Sequence, residues 1–409
     1  MRILFVAFPE SIHAVRWINQ VSNQGWDIHL FPSREGVLHP KFRNITTYGL
    51  FSFPREELDK SIDWRQLWPP ARRTSRVSSL VGRFRPELSD RAAWLARVVK
   101  RVKPDLVHSL EFQHAGYLTL AAREILSREG LQFPAWAVTN WGSDIYLFGR
   151  LPEHAERIRS ILSACDYYHC ECHRDPELAK SLGLKGEALP VFPVTGGFDT
   201  EQMRRFRVPG KTSSRRVIAL KGYQNWAGRA LVGLRAIALC ADIMDGYSVC
   251  LYMADSDVKL AALLVSHDTG IPFEVEQQKW TRDDILRMHG RSRVSIGLSI
   301  SDAISTSLLE AMILGSFPIQ SNTGCGDEWI KCGDNGLLVP PESPEAVAVA
   351  LRRALTDDAM VDQAAETNAR ITAERIDVSV VAPQVVNMYK HIDSRAKSAE
   401  QDGVGHHSN

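Results

Sequence analysis

The 409-residue chain is most informative at first in what it lacks. It has only seven cysteines, too few for a disulfide framework at this length, so a reducing compartment such as the cytoplasm is expected. No apolar run approaches the ~20 residues that span a bilayer as a helix. Charge of one sign is not in excess: 49 Lys+Arg face 48 Asp+Glu. A basic field for nucleic acid is therefore missing, and neither GxGxxG nor a P-loop occurs. No internal repeat is present. The apolar start, Met1-Arg2-Ile3-Leu4-Phe5-Val6, is too short for a leader and regains charge at Glu10; it is expected as a first strand.

What is there is an alternation. Short buried-type runs are expected as strands at Ile3 to Ala7, Asp27 to Phe31, Leu106 to His108, Ala135 to Thr139, Asp166 to Cys170 and Glu187 to Val191. Helical spacing separates them, as in Ser11 to Asn23 and Arg91 to Val102. The rhythm restarts with strands expected at Arg216 to Leu220, Tyr247 to Tyr252, Pro272 to Val275, Arg293 to Leu298 and Phe317 to Gln320. Strands alternating with helices predict βαβ units on parallel sheets. The fold class is thus α/β, with two doubly wound domains and ligands at the carboxyl ends of their strands.

The expected organisation is an N-terminal domain at 1–195, a Gly- and Arg-rich linker at 196–215 and a second domain at 216–375. A helix at 376–394 is expected to pack back on the first domain, followed by a disordered tail at 395–409.

The strongest signal lies between Ser299 and Pro340. Asp302 and Glu310 stand eight positions apart across a hydroxyl-rich helix start, Ser305-Thr306-Ser307. A helix start offers free N–H groups and partial positive charge to a phosphate. Asp302 can accept bonds from sugar hydroxyls, and Glu310 from a ribose diol. The plain alternative makes Asp302 an N-terminal cap and Glu310 a solvated charge. Leu308-Leu309 and Ala311-Met312 around Glu310 weigh against it. A second group, Lys221-Gly222-Tyr223 with Arg229, follows an expected strand. Cations there would meet the charge gathering on a leaving diphosphate.

The Asp302–Glu310 pair, Gly324-Cys325-Gly326-Asp327-Glu328 and the run from Gly333 to Pro341 resemble the signature of the retaining GT-B glycosyltransferases of family 4. The resemblance covers about residues 1–394 and is strongest over 216–350. It implies two Rossmann-like domains facing a central cleft. It also implies transfer of a hexose-like sugar, without a bound metal or cofactor, from a UDP- or GDP-sugar to a glycan or lipid-linked acceptor in glycan, polysaccharide or glycolipid biosynthesis. In the family the first acid meets the donor sugar, here Asp302, and the second the ribose, here Glu310. An Arg and a Lys hold the diphosphate; Lys221 and Arg229 occupy this region in the reverse order. The base lies along the segment Phe273 to Trp280, which includes Val275. Trp280 either stacks on it or packs in the core.

Three loops after strands are expected on the acceptor side: Glu10 to His13, His108 to His114 with Glu111, and Thr139 to Asp144. Related enzymes carry a His where Trp141 stands. A proton role then falls to His13, His108 or Glu111, or is not needed. For each histidine the alternative is a strand-end residue bonded to backbone.

His169-Cys170-Glu171-Cys172-His173 does not match common zinc spacing. The stretch from Arg72 to Lys103 holds ten basic and two acidic residues with Leu80, Val81, Phe84 and Trp94 interleaved. It reads either as a docking surface for an anionic membrane or as a solvated helix face. Two other readings stay open, a sugar-nucleotide epimerase of the same fold and a non-catalytic sugar-nucleotide-binding protein.

Overall fold

The computed structural model describes residues 1–49, 58–66, 90–275 and 280–404. The chain divides into two units, Met1–Gly197 with Val381–Asn409, and Phe198–Val380. No helix among the described residues is long and apolar enough to cross a membrane.

The first unit is built on eight strands: β1 (Arg2–Ala7), β2 (Asp27–Pro32), β3 (Thr46–Gly49), β4 (Asp63–Gln66), β5 (Leu106–Leu110), β6 (Ala135–Thr139), β7 (Tyr167–His169) and β8 (Glu187–Ala188). They lie in the order β4-β3-β2-β1-β5-β6-β7-β8, with every pair parallel. A parallel sheet covered on both faces needs continuous apolar strands. β5 is buried at every position, and β1 at all but Arg2. The helix Ile12–Val21 is started by Ser11, whose hydroxyl accepts from the Ala14 N–H, and it buries Ala14, Val15, Trp17, Ile18 and Val21. β3 and β4 escape the sequence reading because short polar runs such as Asp63-Trp64-Arg65-Gln66 carry no apolar pattern.

The second unit holds six parallel strands: β9 (Val217–Lys221), β10 (Ser248–Tyr252), β11 (Phe273–Val275), β12 (Ser292–Gly297), β13 (Phe317–Ser321) and β14 (Leu337–Val339). Their order is β11-β10-β9-β12-β13-β14. This is the doubly wound order, with its switch point between β9 and β12. The buried faces of β9, β12 and β13 pack with the helices Ala230–Ala238 and Pro344–Thr356 in one apolar core.

Three expectations about organisation change. Residues 198–215, read as linker, are folded into the second unit. Phe198 bridges Asp377, Thr200–Arg204 is helical, and the buried Arg215 guanidinium donates to the carbonyls of Ser292 and Leu314. Buried carbonyls at two element ends supply the partners that hold it. The last helix runs from Val378 to Val404 and so continues into the expected tail. Of the basic stretch, residues 72–89 lie outside the described residues. Trp94 is buried on the helix Arg91–Val102, so it packs in the core and offers nothing to a membrane.

Candidate donor site at the switch point of the second sheet

β9 ends at Lys221, and the chain leaves β12 into the loop carrying Asp302. The two therefore flank the point where the sheet order reverses. Lys221 is half-buried. Burial pulls its ammonium below the usual lysine range, opposed by the charges of Asp302 and Glu310. The ammonium also sits 4.5 Å from the centre of the Tyr223 ring. Gly222 must lack a side chain, because a Cβ would come within 2.4 Å of the Ala254 Cβ. That contact draws the loops after β9 and β10 together.

The helix Thr306–Leu314 begins at Ser305, whose side chain makes no cap bond to the helix; its hydroxyl instead lies 3.3 Å from that of Ser307. Asp302 is not the cap of this helix. Its Oδ1 accepts from the next N–H, that of Ala303, at 2.9 Å. Ser307 hydrogen-bonds Tyr252, whose hydroxyl is held protonated by burial and, more weakly, by the Glu310 charge. Glu310 is only 6% exposed, on a helix whose neighbouring residues are all buried. A carboxylate there is costly unless charged partners surround it. Arg282 Nε stands 4.0 Å from it, and Lys221 lies within its field. The helix stops at Gly315, which takes φ +73° and turns the chain into β13.

Arg229 is engaged with its own loop. Its Nη1 donates to the carbonyls of Gly228 at 2.9 Å, Ala227 at 3.3 Å and Asn225 at 3.4 Å, and its Nε to Glu342 at 3.2 Å. It clamps the loop after β9, since carbonyls that turn inward there need a donor. Arg282, which sequence reasoning missed, is the cation beside Glu310. No sequence spacing signals a pairing across 28 positions; only the Thr281–Asp284 capping box fixes the start of its helix. Val275 ends β11 and, like Trp280, is partly buried against apolar core residues.

In the first unit the corresponding switch point lies between β1 and β5. Here His108 is corrected as a catalytic candidate. It is fully buried on β5. Trp17 Nε1 can only donate, and it bonds the Tyr389 hydroxyl at 2.8 Å. That hydroxyl shares a hydrogen bond with His108 Nδ1 at 2.6 Å, and His108 Nε2 shares one with the Thr139 hydroxyl at 2.7 Å. Burial pushes the imidazole down to about 3. His169 is likewise buried, between Trp17 and Phe192, and pushed down to about 3.

Glu111 and Asp144 are corrected from acceptor contacts to internal braces. The Glu111 carboxylate accepts from the His114 and Ala115 N–H groups, holding a residue at φ 86°. Asp144 Oδ2 accepts from Trp141 at 2.8 Å and from Phe112 at 3.0 Å, so it ties the loops after β5 and β6. Burial, then the Glu111 charge, raises Asp144 well above the usual carboxylate range. Unsatisfied N–H groups at loop starts explain why the acids point inward. Glu10 pairs with Arg34. His13 and Trp141 are half-buried and meet edge to face at 6.0 Å.

Against this geometry, residues 260–372 match the family model described as "Glycosyl transferases group 1". In fold, the chain is a GT-B protein. The Burkholderia multivorans α,α-trehalose 6-phosphate synthase structure superposes with TM-score 0.68 at 14% identity, covering 98% of each chain. Anabaena HepE, crystallised with UDP and glucose, gives 0.67 at 14% identity, covering 96% of this chain and all of the other. Sucrose-phosphate synthase of Thermosynechococcus elongatus gives 0.66 at 14%, covering 97% and 100%. No curated protein sequence matches the chain significantly. The family match and the GT-B fold support sugar transfer as the activity class.

Proposed function

We propose that this protein is a retaining glycosyltransferase that moves a hexose from a UDP- or GDP-sugar to the hydroxyl of a glycan or lipid-linked acceptor. The observation that carries the reading is the gathering of Lys221, Asp302 and Glu310 about the switch point of the second sheet. In this reading Glu310 accepts the ribose hydroxyls, with the Arg282 guanidinium beside it. The start of the helix Thr306–Leu314 receives a phosphate. Lys221 meets the negative charge that grows on the diphosphate as the glycosidic bond breaks, an interaction strongest in the transition state. Asp302 receives hydroxyls of the donor sugar. Val275 and Trp280 border the base. His13 and Trp141, on the loops of the first unit, are the acceptor contacts that stay in this reading. A departing phosphate oxygen takes the acceptor proton on the face of attack, so the buried His108 is not needed. The biosynthetic setting is glycan, polysaccharide or glycolipid assembly.

The test is a thermal-shift screen of UDP, GDP and their sugars, since a ligand held only by the folded state raises the melting point. One nucleotide should raise Tm, and Glu310→Ala and Lys221→Ala should each remove the rise. Unchanged shifts in both variants would place the donor elsewhere. Release of nucleoside diphosphate, measured with and without an acceptor, then tests transfer itself.

A further inference from the structure

The segment from Phe206 to Arg216 leads into the start of β9, at the end of the second sheet away from Lys221. It brings two guanidinium groups to the turn at Gly315. Arg215 is 6% exposed, and its Nη1 donates to the carbonyls of Ser292 at 3.1 Å and Leu314 at 3.3 Å. Its Nε and Nη2 are buried and meet no acceptor among the described residues. Arg207 lies against the next residue of the turn, since a Cβ on Gly315 would stand 3.0 Å from its Cζ and Nε. The Thr212 hydroxyl donates to the Gly315 carbonyl at 2.7 Å and fixes the segment there. A buried donor left unpaired costs about 1–3 kcal/mol, and more when the group is charged. Native structures keep such a group only for a reason. Nearby acids do not supply the missing acceptors. The exposed Glu366 reaches Arg207 at 3.4 Å, and Asp362 accepts from the N–H and hydroxyl of Ser213. Burial, then the Arg207 charge, pulls Arg215 down to about 10.

We propose that Arg215 and Arg207 form a binding site for a phosphate group, separate from the donor site. Nε–H and one Nη2–H project side by side from one edge of a guanidinium, and that edge fits two oxygens of an oxyanion. Two neighbouring guanidiniums suit a dianion better than a single carboxylate. The Arg215 edge has no accessible surface in this structure, so the anion enters as Arg207 moves. Arg207 is half-buried and held by an exposed acid, which leaves it free to exchange Glu366 for phosphate. The donor phosphate is proposed at the start of the helix Thr306–Leu314, and this site lies at its other end. Nine residues separate the two, about 13 Å of helix. At that distance the anion takes no part in transfer; it steadies the carboxyl end of the helix that carries Glu310. Free phosphate and a phosphate ester present the same oxygens to this edge.

The experiment titrates sodium phosphate into the full chain, with sodium chloride at matched ionic strength as the control. It is run on the wild type and on Lys221→Ala, so that phosphate held at the proposed donor site is told apart. Phosphate should raise Tm saturably in both proteins. Arg207→Ala, placed in the Lys221→Ala chain, should weaken phosphate binding about tenfold or more by calorimetry. Arg215→Lys in the same chain keeps the charge but loses the two-donor edge, and should abolish the saturable response. Arg207 is partly exposed, so its variant decides the matter even where Arg215→Lys does not fold. Glucose 6-phosphate is titrated alongside: a tighter response assigns the site to a phosphate ester, an equal or weaker one to free phosphate. No response beyond that of chloride in Lys221→Ala, or the same response after Arg207→Ala, overturns the site. Neither result bears on the donor reading, which the nucleotide screen tests separately.

Discussion

The switch points of the two sheets carry the same residue types and employ them in opposite ways. In the first unit Glu111 and Asp144 are buried acids whose oxygens take backbone N–H groups, and His108 is locked between Tyr389 and Thr139. In the second unit Glu310 is as buried, but its helix carries only apolar neighbours, and cations from two other elements face it. Burial of a carboxylate therefore does not mark a binding site. What distinguishes the two is the partner: Glu111 and Asp144 take the N–H groups of the first unit's loops, whereas Glu310 faces Arg282 and the Lys221 charge at a strand end.

The contrast breaks most readily at Glu310 and Lys221. Glu310→Ala should weaken nucleotide binding on the order of 100-fold, about 3 kcal/mol, read by calorimetry. Lys221→Met should lower kcat/KM for the donor by a similar factor and weaken nucleotide binding with it, because the ammonium meets the diphosphate charge. His108→Leu, by contrast, should lower stability in denaturant melts while leaving the nucleotide shift in place. Equal effects on binding from both units would erase the distinction.

Gly222→Ala comes next. The new methyl would overlap Ala254, so the loops after β9 and β10 must part. Donor affinity should fall about tenfold with ~1–3 kcal/mol lost from stability, by melting and calorimetry.

Acid titration sharpens the comparison further. His108, His169 and His289 are buried and neutral, each pushed down to about 3. A histidine whose folded pKa is depressed stabilises fully above its unfolded value near 6.5. It loses that stability as pH falls towards 3, at about 1.4 kcal/mol per pH unit for each. Two of these lie in the first unit and one in the second. Hydrogen exchange between pH 7 and 5 should therefore show the first unit loosening more steeply.

The smallest effect belongs to Asp144. Its folded pKa is raised, so the acid favours the folded state below about 4 and costs stability as pH rises towards the folded value. Asp144→Asn keeps an acceptor for Trp141 and Phe112. It should gain on the wild type by ~1 kcal/mol or less between pH 4 and 7, measured by urea midpoints. A difference that does not change with pH would mean that the carboxyl is not desolvated.

Much of the architecture was legible because parallel strands buried on both faces must be apolar throughout. β1 and β9 stand out in the sequence for that reason, while β5, β12 and β13 show apolar residues mixed with buried polar ones. The start of the helix at Ser305 and its end at Gly315 were also readable, from a hydroxyl run and a glycine that must turn. The short strands β3, β4 and β14 were not expected, since few residues at a sheet edge leave no period to detect. Among the candidate residues, Asp302 and Glu310 lie within reach of the Lys221 charge. Arg282 was invisible because its proximity to Glu310 depends on how two helices pack.

By itself the sequence determined the alternation of elements, the strand cores and the chemical types available at each strand end, because periodicity and apolar runs are local properties. Only tertiary structure decided which of those groups were consumed internally. His108, Glu111, Asp144 and Arg229 look as reactive in the sequence as Lys221 and Glu310 do. Their hydrogen-bond partners come from distant elements, and a polar side chain in a low-dielectric interior is defined by the partners that folding brings to it.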